Sequence, residues 1–245
     1  MMDVAGRIAA LSSTGEQPEL PGPELLPTRL MRACAQVLPV DGAGISFFSG
    51  FRHRVPLGAS DDDAVLAERL QFTVGEGPCL TAHAEDGAVM ATADTMGKRW
   101  PIFYRELLAR TPYRAILSLP VTTEEFGGDA AVDLYYADPR PDISESALND
   151  VKKAIDIIGA LLVANSGLGD SPKAEPVWCA NDAVRSRSQV WIAMGMINVA
   201  LGLDPIDSLA VLRGYAFGHG TTVDDIARHV TARQLPVEAL GVRRW

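Results

Sequence analysis

Ala115-Ile116-Leu117-Ser118-Leu119-Pro120-Val121 and, beyond the Gly127-Gly128 pair, Ala130-Ala131-Val132-Asp133-Leu134-Tyr135-Tyr136 read as two strands in quick succession. Both runs are short and rich in β-branched, aromatic and other apolar side chains, and a glycine pair between such runs is a hairpin signal. The regular helical crossovers that a doubly wound parallel sheet needs are missing around them. The pair therefore sets an antiparallel sheet.

Working outward, Ala88-Val89-Met90-Ala91 reads as a further strand and Trp100 to Ala109 as a short helix. Gly44 to Phe48 and Arg52 to Leu57 form a second hairpin, and Asp61-Asp62-Asp63 cap a short helix carrying Val65, Leu66 and Leu70. Glu24 to Leu38 places Leu26, Leu30, Cys34 and Val37 at helical spacing before Pro39. On the far side, Ser144 with Glu145 opens a long helix through Ile155, Ile158, Leu161 and Leu162. Hairpins bracketed by helices define an α+β domain over 24–165, with flanking helices gathered against one face of an antiparallel sheet. Residues 1–23, with Gly15, Pro18, Pro21 and Pro23, read as a loose leader. Residues 166–176 hold two Gly, two Pro and two Ser and read as a linker, and 177–245 is a separate all-helical part.

Of the chain, 47% is hydrophobic and 22% charged, enough to build a core in both parts. The net charge of −9 is unevenly spread: from Pro176 on, seven Lys and Arg face six Asp and Glu, so nearly all the excess acid lies in the first part. General attraction to nucleic acid is thereby disfavoured. Three cysteines, Cys34, Cys79 and Cys179, show no CxxC or Cys/His spacing, and the four histidines form no ligand pair, so neither a disulfide framework nor a metal is expected. Asp61 to Asp63 and Glu124-Glu125 are charge runs that solvent satisfies. No apolar run reaches the roughly 18 residues of a membrane span, and Met1-Met2-Asp3-Val4 lacks the plan of a signal peptide. The expected address is the cytoplasm, with no membrane partner.

In the helical part, Val190-Trp191-Ile192-Ala193-Met194-Gly195-Met196-Ile197 is apolar almost all the way round. Such a helix must be covered on more than one side, which points to a homodimer with Val190, Trp191, Met194 and Ile197 at its interface. Gly202 stops it, and Asp204-Pro205 starts a second helix with Ile206, Leu209, Ala210, Leu212 and Ala216 on its apolar face. After Gly218 and Gly220, Thr222 with Asp225 starts a third, marked by Val223, Ile226, Ala227 and Val230.

Val40-Asp41-Gly42-Ala43-Gly44, Phe72-Thr73-Val74-Gly75-Glu76-Gly77-Pro78-Cys79-Leu80, Arg99-Trp100-Pro101, Ser118-Leu119-Pro120-Val121 and Asp133-Leu134-Tyr135 together resemble the GAF domain of actinobacterial regulatory proteins. The resemblance spans about Leu25 to Val163. It implies a PAS-like fold, an antiparallel sheet with helices behind and a ligand pocket in front, and a sensing role with no ligand or cofactor named. Candidate ligand-binding residues are Gly75, Glu76, Gly77 and Cys79. Their loop, leading into a helix, either presents backbone N–H groups to an anion or merely lets the chain turn with Pro78 at the first helical position. Cys79 is either a thiol activated near a helix start or a buried inert one.

The three helices resemble an ANTAR module, the output domain of bacterial transcription antiterminators, at Arg187, Val190, Ala193, Gly195, Leu209, Leu212, Arg213, Tyr215, Ala216, Ile226 and Ala227. That family dimerises and binds paired RNA hairpins, whose loops expose bases to a protein. The resemblance makes Arg187, Arg213, Tyr215, His219 and Arg228 the candidate RNA-binding residues, with Arg185 and Arg233 as further cations. Met194 stands where lysine is usual, and Thr221-Thr222-Val223-Asp224 where basic residues are common, so the electrostatic footprint on RNA is thin. Two functions follow. One is a signal-responsive, RNA-binding transcription antiterminator. The other is a GAF-regulated dimerisation or protein-interaction module, its ANTAR part no longer binding RNA. No enzyme is expected, because the sulfoxide reduction known on GAF-like folds needs several cooperating cysteines, and Cys34 and Cys79 show no such pairing.

Overall fold

A computed structural model describes residues 3–49, 53–121, 129–167 and 176–241; Gly127-Gly128, Glu124-Glu125 and most of the linker lie outside them. The fold is mixed α+β. Strands β1 (Gly42–Ser49), β2 (His53–Ala59), β3 (Val89–Ala91), β4 (Ala115–Val121) and β5 (Asp129–Tyr136) form one antiparallel sheet in the order β2-β1-β5-β4-β3. The two runs that set the fold pair as expected, with Leu117 opposite Leu134 and Ser118 opposite Asp133.

Period-2 alternation sends Ala115, Leu117, Leu119 and Val121 of β4, and Ala130, Val132, Leu134 and Tyr136 of β5, to one face. There they bury against helices α1 (Val4–Leu11), α2 (Leu26–Val37) and α7 (Glu145–Ala164), through Ile8, Leu30, Cys34, Ile158 and Leu162. The helices are not gathered on one face as expected: the other face carries α3 (Asp62–Val74), α4 (Pro78–Glu85), α5 (Ala93–Arg99) and α6 (Pro101–Arg110), because its strand residues are also buried and need cover. Helix α3 runs well past the short helix expected there. Asp61 caps it by accepting the Ala64 N–H, and Gly75, at φ +82°, closes it in the left-handed region.

The segment expected to be loose is ordered by polar stitching. Asp3 caps α1, Ile8 is fully buried, and the Arg29 side chain donates to the carbonyls of Ser12, Leu20 and Gly22. Gln17 adds bonds to the carbonyls of Leu11 and Arg29. Proline and glycine content alone does not show that one buried arginine can satisfy three turn carbonyls.

The helical part comprises α8 (Asp182–Leu201), α9 (Pro205–Gly218) and α10 (Val223–Thr231), as the spacing predicts. It is seated directly on the first part. A 3₁₀ turn at Val177–Ala180 buries Trp178 in the core behind the sheet, where its indole N–H donates to the Leu162 carbonyl. Asn181 caps α8 and donates to the Leu57 carbonyl of β2. Helix α8 thus runs beside the edge strand β2, while α9 and α10 rest on α3. No single helix among the described residues is long and apolar enough to cross a membrane.

Candidate functional site

The face of the sheet beneath α3 and α4 buries charge. Arg54 of β2 donates to the carboxylate of Glu68 in α3 and to the Glu68 carbonyl, at 2.8 Å for the latter, and lies 3.7 Å from the Asp133 carboxylate. Glu68 also accepts from the hydroxyls of Ser46, at 2.6 Å, and Tyr135, at 2.5 Å. Asp133 accepts from the Ser118 hydroxyl at 2.5 Å and from the Gln71 amide at 2.6 Å. Glu68, Arg54 and Asp133 are each 2% exposed or less, so one arginine serves two carboxylates out of water. Burial, then the neighbouring Glu68 charge, pushes the Asp133 carboxyl well above its ordinary range.

The Gly75 to Cys79 loop leans on this cluster. Gln71 bridges it, giving its amide N–H to Asp133 and accepting the Cys79 backbone N–H at 3.0 Å. Gly77 is needed because a Cβ there would run into the Gln71 side chain, and its φ of +148° is strained for any other residue. The Cys79 N–H is therefore already satisfied inside the chain, and Glu76 accepts the Phe103 N–H at 3.4 Å. Burial raises the Cys79 thiol well above its usual range, although Arg54 beside it pulls the other way. Cys34 is pushed up to about 12 by burial on the opposite side of the sheet, so the two thiols belong to separate clusters.

A second constellation forms where the helical part meets α3. Phe72, 2% exposed, leaves the sensor-like part and packs in the core of the three helices with Val190, Ile197, Leu212 and Ile226. Trp191 meets it edge-on, with ring centroids 6.0 Å apart. The Arg187 guanidinium lies 3.4 Å from the Phe72 centroid, and Arg213 approaches the same ring at 5.2 Å while donating to the Phe72 carbonyl at 3.0 Å. Arg187 also forms a buried ion pair with Asp224, at 3.1 and 3.3 Å, and donates to the Arg54 carbonyl at 3.2 Å. Burial pushes Arg187 down to about 10, so it stays cationic at neutral pH. The Val223 N–H crosses the same seam to the Thr73 hydroxyl at 3.0 Å.

Among the residues expected to touch RNA, Arg187 is thus a correction: it is 1% exposed and neutralised within the chain. Its place on the buried stripe of α8 with Val190, Ala193 and Ile197 is the reason. Arg213 is half-buried at the seam, whereas Tyr215 and His219 stack on one another nearer solvent, with centroids 4.0 Å apart. Arg228 is exposed and paired with Asp225, and Arg185 with Asp182. Of the expected dimer residues, Val190 and Ile197 are fully buried within the chain's own core, so they offer no surface to a second copy. Trp191 and Met194 are half-buried, and the same helix instead exposes Ile192 at 51% and Val199 at 85%.

Phe72, Arg54, Glu68 and Asp224 were not singled out as site residues from the sequence. One signal was available: an arginine on the apolar stripe of α8 must find a buried acid, and Asp224, an acid where bases were expected, is that partner. Among the described residues no group of three or more His, Cys, Asp or Glu comes together to hold a metal.

No family model matches the chain, and no curated protein matches it significantly. Solved structures similar to it include three bacterial GAF domains. The one from an Acinetobacter phosphoenolpyruvate-protein phosphotransferase is 12% identical with a TM-score of 0.47, over 68% of this chain and 94% of that one. The counterpart from Coxiella burnetii is 15% identical with a TM-score of 0.47, over 65% and 95%. A GAF domain/HD domain protein from Geobacter sulfurreducens is 16% identical with a TM-score of 0.43, over 70% and 99%. These are likenesses of shape and carry nothing about ligand or activity.

Proposed function

We propose that this chain is a signal-responsive, non-enzymatic transcription antiterminator of the cytoplasm, in which a GAF-type sensor restrains an ANTAR-type module whose released form binds paired RNA hairpins as a homodimer. The observation that carries this reading is the seam at Phe72. Arg213, on an ANTAR-like position, lies against a sensor phenylalanine and donates to its carbonyl instead of facing outward. A guanidinium held there is withheld from phosphate, so a signal that loosens the seam adds positive charge to the exposed surface. The Tyr215–His219 stack supplies a platform for an unpaired base.

The test is titration of the full chain with an RNA bearing two short hairpins, at several salt concentrations. Wild-type protein binds weakly, and Phe72→Ala binds more tightly with a steeper salt dependence. No binding by either at the lowest salt contradicts the reading.

A second reading, a dimerisation or protein-interaction module without RNA binding, is favoured by an apolar groove of about 810 Å³ between α8 and the C-terminal turn, lined by Ile192, Met196, Val199, Val230 and Val237. Absence of RNA binding, together with a concentration-dependent oligomer abolished by Val199→Asp, selects it.

A further inference from the structure

Beside the seam lies a partly open cavity of about 180 Å³ bounded by α2, β2, α3 and the first turns of α8 and α10. It is no larger than a site for a small metabolite, being close to the roughly 150 Å³ that accepts benzene in an apolar core. None of the loop residues Gly75, Glu76, Gly77 or Cys79 lines it. Asp62, Val65 and Arg69 of α3 form one wall at i, i+3 and i+7, a single helix face on which the first and last residues are about 10 Å apart along the axis. Pro56, Ala59 and Ala183 add apolar surface to a lining that also carries charged side chains.

The charges on the lining divide into engaged and free. Arg32 pairs with Glu19, Glu68 with Arg54 and Asp224 with Arg187, and Asp61 accepts from the Tyr113 hydroxyl and the Ala64 N–H. Among the described residues Arg69 and Asp62 have no ion pair or hydrogen bond, and Arg69 is half-buried. A free cation and a free carboxylate therefore stand at the two ends of one helix face, with Val65 between them. A simple anion would meet the acids at the Asp62 end, and a simple amine would meet Arg69.

We propose that this cavity binds a small linear zwitterion, an ω-amino acid, with its carboxylate on Arg69, its ammonium on Asp62 and its methylene chain along Val65. Asp224 belongs both to the cavity and to the ion pair that holds Arg187, so occupancy is felt at the seam. That consequence rests on the antitermination reading; binding itself does not.

The test is calorimetric titration of the full chain with 5-aminopentanoate, with pentanoate and pentylamine as single-charge probes. The zwitterion binds, and each single-charge probe binds at least about tenfold more weakly, the loss expected for one charge-assisted hydrogen bond. Arg69→Gln and Asp62→Asn each weaken the zwitterion to a similar degree, while circular dichroism and thermal melts stay at wild-type values. No heat with the zwitterion at millimolar concentration, or equal affinity for all three probes, overturns the proposal. Equal affinity of the two variants and wild type overturns it as well. Because no RNA is present, failure here leaves the RNA titration standing, and failure of that titration leaves this one.

Discussion

The two faces of the one sheet are built on opposite plans. Behind it, alternate residues of β4 and β5 meet α1, α2 and α7 in a wholly apolar layer with Ile45, Leu117, Val132 and Ile158 at its centre. In front, the same two strands present Ser118, Asp133 and Tyr135 to Arg54, Glu68 and Gln71. An apolar layer loses stability in proportion to the atoms removed, whereas a buried charge network fails when any one member leaves its partners unpaired. The front face also reaches further: through its carbonyl Arg54 touches Arg187, which joins the charge network to the helical part. The back face is an apolar core, and the front face is the one whose polar groups also contact the helical part.

The largest expected effect comes from breaking the front network at its cation. Arg54→Ala leaves Glu68 and Asp133 buried without a counter-ion and costs about 3–5 kcal/mol of unfolding free energy, read from urea denaturation. On the back face, Leu117→Ala costs about 3 kcal/mol through the cavity it leaves, and it leaves the seam intact. If the two variants disturbed the α8–α10 helices equally, the division between the faces would be lost.

A smaller effect sharpens the comparison through pH. The Asp133 pKa is raised in the folded chain, so its contribution to stability is full below about pH 4, the unfolded value, and is lost as the pH rises through the folded value. Denaturation midpoints taken across that range should fall with rising pH, less steeply in Asp133→Asn than in wild type. Ser118→Ala, which removes one donor to Asp133, costs about 1–2 kcal/mol at neutral pH.

The back face was the legible half. Alternation in Ala115 to Val121 and Ala130 to Tyr136, and the 3.6-residue period in the flanking helices, locate the strands and most of the helices, because apolar burial writes itself into spacing. The front network joins residues 54, 68, 71, 118 and 133, which no periodicity connects, and its members look like ordinary polar residues on half-buried elements. Helix α5 escaped because Thr92, its N-cap, precedes a run with a single buried residue, Met96. The docking of the helical part escaped for a related reason. Phe72 was read as one letter of a loop motif, whereas its place near the end of α3 aims it out of its own domain, and its partner Arg187 lies more than a hundred residues away. Helix α8 is apolar almost all round, yet the chain itself buries only the stripe of Arg187, Val190, Ala193 and Ile197, through α9, α10 and Phe72.

The helical part is held on the first part by the clamp at Phe72. The Val223 amide, bonded across the seam to Thr73, reports on it directly. Hydrogen exchange followed by NMR should show this amide protected in wild type and exchanging faster by orders of magnitude in Phe72→Ala, while the Ile158 and Leu162 amides of α7 keep their protection. Unchanged exchange at Val223 in the variant, or parallel loss of protection at all three amides, would contradict the account.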